Sequence, residues 1–129
     1  MFEKYFPYIN DNVILIGHSL GGIFLAKYLS ENNFPKKITA TFLVSAPFDD
    51  SDKNYSLSDF KLPKSLDLLQ NQCGKIFLYH SQDDPVVAFN DAKKYAKELP
   101  NAVERFFKDR SHFQQEELPE IVDDIKILL

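Results

Sequence analysis

Short apolar runs alternate along this chain with segments whose apolar positions recur every three to four residues. Val13 to Ile16, Ile38 to Ser45, Lys75 to Tyr79 and Val103 to Phe107 are the short runs, rich in branched and aromatic side chains. The first three are apolar at successive positions, as a strand covered on both faces of a parallel sheet must be. The fourth carries Glu104 and Arg105, which predicts an edge strand. The other segments have helical spacing. Ala92, Tyr95, Ala96 and Leu99 fall at i, i+3, i+4 and i+7, and Leu118, Ile121, Val122 and Ile125 repeat the pattern. Asn90 or Asp91 suits the cap of the former helix, and Pro100 ends it. Pro119 suits the first turn of the last helix, where Glu116, Glu117 and Glu120 complement the helix dipole. Gly22 to Leu29 reads as a mostly buried helix.

Strand alternating with helix predicts right-handed βαβ units, hence an α/β fold with a parallel sheet of about four strands and helices on both faces. The rhythm breaks between Pro47 and Gln72, a polar stretch with aromatic residues at Phe48, Tyr55 and Phe60. It reads as a long loop with some helix, and loops of that length in a compact domain tend to carry function. Ahead of Val13 the pattern gives one helix, Phe2 to Ile9, with Phe2, Tyr5, Phe6 and Ile9 near one face.

A length of 129 residues fits one domain, and a hydrophobic fraction of 44% supplies a core for it. The net charge of -4 gives no electrostatic reason to expect nucleic acid as a partner. The single cysteine, Cys73, excludes an internal disulfide and suits a reducing compartment. No basic segment followed by a long apolar run opens the chain, and every apolar stretch is too short to span a bilayer. These features lead to the expectation of a cytoplasmic protein without a membrane partner. Neither CxxC nor HExxH spacing occurs, so no metal is expected. Without GxGxxG or a P-loop, no nucleotide cofactor follows either.

The run Val13-Ile14-Leu15-Ile16 leads into Gly17-His18-Ser19-Leu20-Gly21-Gly22 and then into a helix. That is G-x-S-x-G between a strand and a helix, the setting in which a serine hydroxyl is exposed at the apex of a strained turn. Side chains on the neighbours would collide across so tight a turn, which accounts for glycine at both flanks. The turn also leaves the Leu20 N–H at the start of a helix, able to receive a developing oxyanion. A serine hydroxyl needs a base, and the base needs a carboxylate to orient it. Of the three histidines, His112 lies in a polar turn between the last strand and the last helix, at the carboxyl end of the sheet. His18, inside the elbow, is expected to line the site or pack, and His80 ends a strand as a packing residue or as a support behind the site.

At GHSLGG the chain resembles the α/β-hydrolase superfamily. Val44-Ser45-Ala46-Pro47, Tyr79-His80-Ser81-Gln82-Asp83-Asp84-Pro85-Val86-Val87 and Ser111-His112-Phe113-Gln114 resemble the small serine hydrolases of the retinoblastoma-binding-protein type. The resemblance implies a three-layer α/β-hydrolase sandwich, an esterase-like activity on small ester or acyl substrates, and the order nucleophile, acid, histidine. The family's acid stands before a Pro-Val-Val type stretch, which favours Asp84, with Asp83, Asp49 and Asp50 as alternatives. The expected set is therefore Ser19, Asp84 and His112, with the Leu20 N–H as oxyanion donor and His18, Phe48 and Asp83 lining the pocket. The family usually has glycine before the histidine, where this chain has Ser111.

Ordinary members carry further strands ahead of the elbow and a loop that gives a second oxyanion N–H. Neither is legible before Gly17, so the expectation is a single domain over residues 1–129, truncated at its N-terminus and holding the C-terminal half of the usual sheet. A fragment, a sheet completed by a second chain, and a weakly active or inactive interaction protein all follow from that. The interaction protein would use the loop from Phe48 to Phe60 or the open edge of Val13 to Ile16, where self-association is expected.

Overall fold

Each of the four apolar runs forms a strand in the computed structural model, which describes residues 3, 4, 7, 9–51, 56–115 and 118–128. In chain order the elements are β1 (Val13–His18), α1 (Leu20–Glu31), β2 (Ile38–Val44), a 3-10 turn (Ser58–Phe60), α2 (Asp67–Gln72), β3 (Lys75–Ser81), α3 (Asn90–Glu98), β4 (Val103–Phe107) and α4 (Pro119–Leu128). All strand pairs are parallel and the order across the sheet is β1-β2-β3-β4.

Helices cover both faces. Leu15, Leu43, Ile76 and Leu78 on one face pack with Leu25, Ala26 and Leu29 of α1, Leu69 of α2 and Tyr95 of α3. Ala40, Phe42, Val44, Phe77 and Tyr79 on the other face pack with Ile121 and Ile125 of α4. Burial of each large apolar side chain in these layers contributes roughly 1.5–3 kcal/mol. The Phe42 and Phe77 rings stack with centroids 4.5 Å apart across β2 and β3. Tyr79 carries a hydroxyl into the second layer and donates it to Asp124, which Arg105 grips at 3.0 and 3.1 Å. The buried hydroxyl is thereby satisfied, as a polar group removed from water must be.

β4 lies at an edge, in keeping with its charged residues. β1 is the opposite edge: among the described residues it pairs with β2 alone. Its two-faced apolar run is accordingly half-buried, and Ile16 is 50% exposed.

Several expectations need correction. Neither Asn90 nor Asp91 caps α3. Phe89 precedes the helix without a side-chain cap, and both polar residues lie inside its first turn. Buried Asp91 instead accepts the Phe48 N–H at 3.0 Å, satisfying a backbone donor in the segment that leaves β2. α1 extends beyond the expected Gly22–Leu29 at both ends. The stretch Pro47–Gln72 does hold the expected helix, as the 3-10 turn and α2, and Leu57, Leu66 and Leu69 are buried in it. Phe48 packs edge-on against Tyr95 at 5.0 Å. Tyr55, Glu116, Glu117 and most of the expected helix Phe2 to Ile9 lie outside the described residues. Among the described residues, no helix is long and apolar enough to cross a membrane.

Candidate active site

β1 ends at His18 and α1 begins at Leu20, so Ser19 alone makes the turn between them. Its backbone takes φ 57° and ψ -121°, a conformation L-residues rarely adopt. The turn is held on both sides. The Ser19 N–H donates to the Val44 carbonyl at 2.9 Å, and the Ser19 carbonyl accepts the Gly22 N–H at 2.9 Å. Crowding falls on two glycines. A Cβ on Gly17 would lie 2.5 Å from the Gly21 carbonyl oxygen, and one on Gly22 would lie 2.6 Å from Ala46 Cβ. Gly21 differs from the expectation: among the described residues, a Cβ there would meet nothing within 4 Å. The helix turns its Cβ direction away from β1 and β2, so the second flanking glycine of the motif is not sterically required.

Asp84 follows β3, and its side chain is fully enclosed. Its Oδ1 accepts the N–H groups of Val86 at 2.8 Å and Val87 at 2.9 Å. Its Oδ2 lies 2.9 Å from His112 Nδ1, and His112 Nε2 lies 3.0 Å from Ser19 Oγ. An ionised carboxylate only accepts, so Nδ1 carries the proton and Nε2 is left to accept the Ser19 hydroxyl. The structure therefore joins Ser19, His112 and Asp84 in one hydrogen-bonded row at the carboxyl ends of β1, β4 and β3.

The loop after β4 is strained where it presents His112. Ser111 has φ 54° and Phe113 has φ 55°. A serine thus adopts the left-handed conformation for which glycine is the usual residue. Asp83 helps hold it, accepting the Ser111 N–H at 2.8 Å and the Ser81 hydroxyl at 2.5 Å through Oδ1. Those two bonds, the Ser81 hydroxyl first, keep the Asp83 carboxyl below the usual carboxylate range. Phe113 is buried against Tyr79 and Phe107 and anchors the far side of the loop.

Beside Ser19 lies a cavity of about 230 Å³ lined by Ser19, Leu20, Pro47, Ser56, Leu57, Val86 and Val87. No charged side chain lines it among the described residues. The expected lining residues His18, Phe48 and Asp83 are all elsewhere. Phe48 is held against Tyr95, and Asp83 braces the Ser111 backbone. His18 turns its ring to His112, donating Nε2–H to the His112 carbonyl at 2.6 Å. Val86 and Val87 were visible in the motif, but Leu57 comes from a stretch without period and gave no sign in the sequence.

Residues 2–119 match the family described as serine hydrolase. This chain belongs to the serine hydrolase family. The serine hydrolase RBBP9 of Rattus norvegicus is 30% identical to it over 122 residues, which are 93% of this chain and 63% of that protein. The chain thus spans under two thirds of the length of that relative. The ydeN gene product of B. subtilis superposes with a TM-score of 0.83 at 19% identity, over 98% of this chain and 70% of that one. A structure from a study of carboxylesterases of Nitrososphaera gargenis gives a TM-score of 0.71 at 17% identity, again over 98% and 70%. At these identities the likeness establishes the fold, that of the α/β-hydrolases.

Among the described residues of this serine hydrolase family member, the other candidate acids, histidine and thiol are engaged away from the Ser19 hydroxyl. Asp49 binds Lys94 Nζ at 2.9 and 3.0 Å, and Asp50 accepts the Leu57 N–H at 3.0 Å, so neither reaches His112. His80 is buried, and its Nε2–H donates to the Val87 carbonyl at 2.9 Å. Burial holds its imidazole below the ordinary value, so it stays neutral beside Asp84. Cys73 is buried and burial pushes its thiol up to about 12, which denies it thiolate reactivity. Among the described residues, no group of three His, Cys, Asp or Glu side chains is arranged to hold a metal ion.

Proposed function

We propose that this chain hydrolyses small carboxylic esters or related acyl compounds through Ser19, His112 and Asp84. The observation that carries the reading is the unbroken row from Ser19 Oγ to His112 at 3.0 Å and on to Asp84 at 2.9 Å. In the reaction, Ser19 Oγ attacks the substrate carbonyl carbon while its proton passes to His112 Nε2. Asp84 stabilises the resulting imidazolium. The Leu20 N–H, at the positive end of α1, receives the oxyanion. Collapse of the tetrahedral adduct breaks the C–O bond to the leaving group, and His112 returns the proton to that alkoxide. Water then attacks the acyl-Ser19 ester with His112 as base, and the second collapse restores the Ser19 hydroxyl and releases the acid. The described residues give the cavity beside Ser19 no charged side chain, which suits a neutral acyl group, and at about 230 Å³ it suits a small one.

Labelling with a fluorophosphonate probe tests this reading. The wild-type chain is expected to label, whereas Ser19→Ala and His112→Ala are expected not to, with circular dichroism unchanged in both. Labelling that survives Ser19→Ala would overturn the assignment.

A second property is favoured by β1. Its outer edge is unpaired among the described residues, and the neighbouring Ile16 and Leu20 are 50% and 51% exposed. An unpaired edge beside apolar side chains templates association. The purified chain is expected to self-associate in sedimentation velocity runs, and Ile16→Lys to shift it toward monomer. A wild-type monomer at high concentration sinks this idea.

A further inference from the structure

We propose that His18 is a positioning residue for His112, an inference that rests on the catalytic role proposed for Ser19, His112 and Asp84. Left-handed backbone at both Ser111 and Phe113 means that the loop does not hold His112 in place by its own conformational preference. Something outside the loop has to fix it. Asp83 fixes the residue before His112, by accepting the Ser111 N–H. His18 fixes His112 itself, donating Nε2–H to its carbonyl oxygen at 2.6 Å.

The arrangement gives the elbow two grips on the base. Ser19 meets the ring at Nε2, 3.0 Å away, and the preceding residue holds the backbone of the same histidine. His18 is itself well placed to serve as an anchor. It closes β1 in register with Val44, and the next N–H along the chain bonds to the Val44 carbonyl. The separation between the serine hydroxyl and its base is thus referred to one strand end. The two imidazoles also touch, with centroids 4.8 Å apart and planes tilted by 53°, so the His18 ring limits the swing of the His112 ring.

A carbonyl oxygen only accepts, so the His18 proton is on Nε2 and that nitrogen is committed. His18 does not line the cavity beside Ser19. It acts through His112, and its loss should slow proton transfer without weakening substrate binding.

Three variants separate the hydrogen bond from the ring contact. His18→Ala removes both, His18→Phe keeps the ring contact alone, and His18→Gln keeps a donor at about the position of Nε2. With p-nitrophenyl acetate as substrate, His18→Ala and His18→Phe are expected to lose roughly 10- to 100-fold in kcat, the scale of a misplacement near 1 Å, with KM within about twofold. His18→Gln is expected to recover most of the loss. Fluorophosphonate labelling rates should follow the same order. Full kcat in His18→Ala or His18→Phe would overturn the proposal, as would a change carried mainly by KM. If His18→Ala does not fold, the pair His18→Phe and His18→Gln decides alone. Failure of the underlying catalytic role looks different, since the wild-type chain would then show no Ser19-dependent labelling at all.

Discussion

Replacing Asp84 by asparagine is expected to lower kcat/KM by about four orders of magnitude while the protein stays folded. The reason lies in what surrounds the carboxylate. Oδ1 accepts two N–H groups, from Val86 and Val87, and Oδ2 faces the His112 Nδ1. An asparagine amide has one oxygen and one NH2 to distribute over those partners. Turning the NH2 toward Val86 and Val87 would set donor against donor in a buried site, so the oxygen goes there and the NH2 faces His112. His112 then has to accept at Nδ1 and carry its proton on Nε2. That nitrogen presents an N–H to Ser19 Oγ and has no lone pair for the serine proton. The negative charge that stabilises the imidazolium is lost as well. Steady-state kinetics with p-nitrophenyl acetate, alongside circular dichroism, checks this. Activity within tenfold of wild type would exclude Asp84 from the role.

The second large effect concerns the elbow's glycines, and it separates two residues that the motif treats alike. Gly17→Ala is expected to destabilise the fold by about 3 kcal/mol or more, at the upper end of what overpacking costs. The added Cβ would meet backbone, 2.5 Å from the Gly21 carbonyl oxygen and 2.8 Å from Gly22 Cα, and backbone cannot swing aside as a flexible side chain can. Relief would require β1 and α1 to separate at the Ser19 turn, taking Ser19 out of reach of His112. A loss of that size is a large part of a typical domain's total stability. Gly21→Ala meets open space and removes a glycine from the helix, so it is expected to be neutral or to gain up to about 1 kcal/mol. Urea denaturation of both variants, compared at equal slope, reads the difference. Equal midpoints would refute the steric account.

Much of this architecture is legible in the amino-acid sequence, and the physical reason is range. An apolar run such as Ile76 to Tyr79 must be covered on both faces wherever it lies, so the strand and its place inside the sheet are written locally. The charges of Glu104 and Arg105 likewise announce an edge. The elbow is legible because a serine at φ 57° imposes its demands on residues within three positions of it. Asp84 is legible through the family's pattern at Asp84-Pro85-Val86-Val87, and its side chain bonds to the N–H groups two and three residues on, so the acid and its brace form one contiguous motif.

The features that local pattern misjudges are decided at long range. Asp91 has the look of a helix cap when only its own helix is considered. Its partner, the Phe48 N–H, stands 43 residues away. Phe48 has the look of a pocket residue because it follows a strand, yet it packs on Tyr95. His18 shows only a position inside the elbow, while its contact to the His112 carbonyl spans 94 residues. Read alone, the residues specify the strands, most of the helices and the serine of the elbow, because those depend on local periodicity and backbone geometry, whereas the choice of Asp84 over Asp83 rests on the family resemblance. The packing of distant segments set the order β1-β2-β3-β4 across the sheet, whereas the open edge at Val13 to Ile16 is already an expectation from the residues. Only the tertiary structure chose the walls of the cavity beside Ser19 and gave Gly21 open space while crowding Gly17. Each of these depends on which distant segment packs alongside, and no local pattern of residues encodes that.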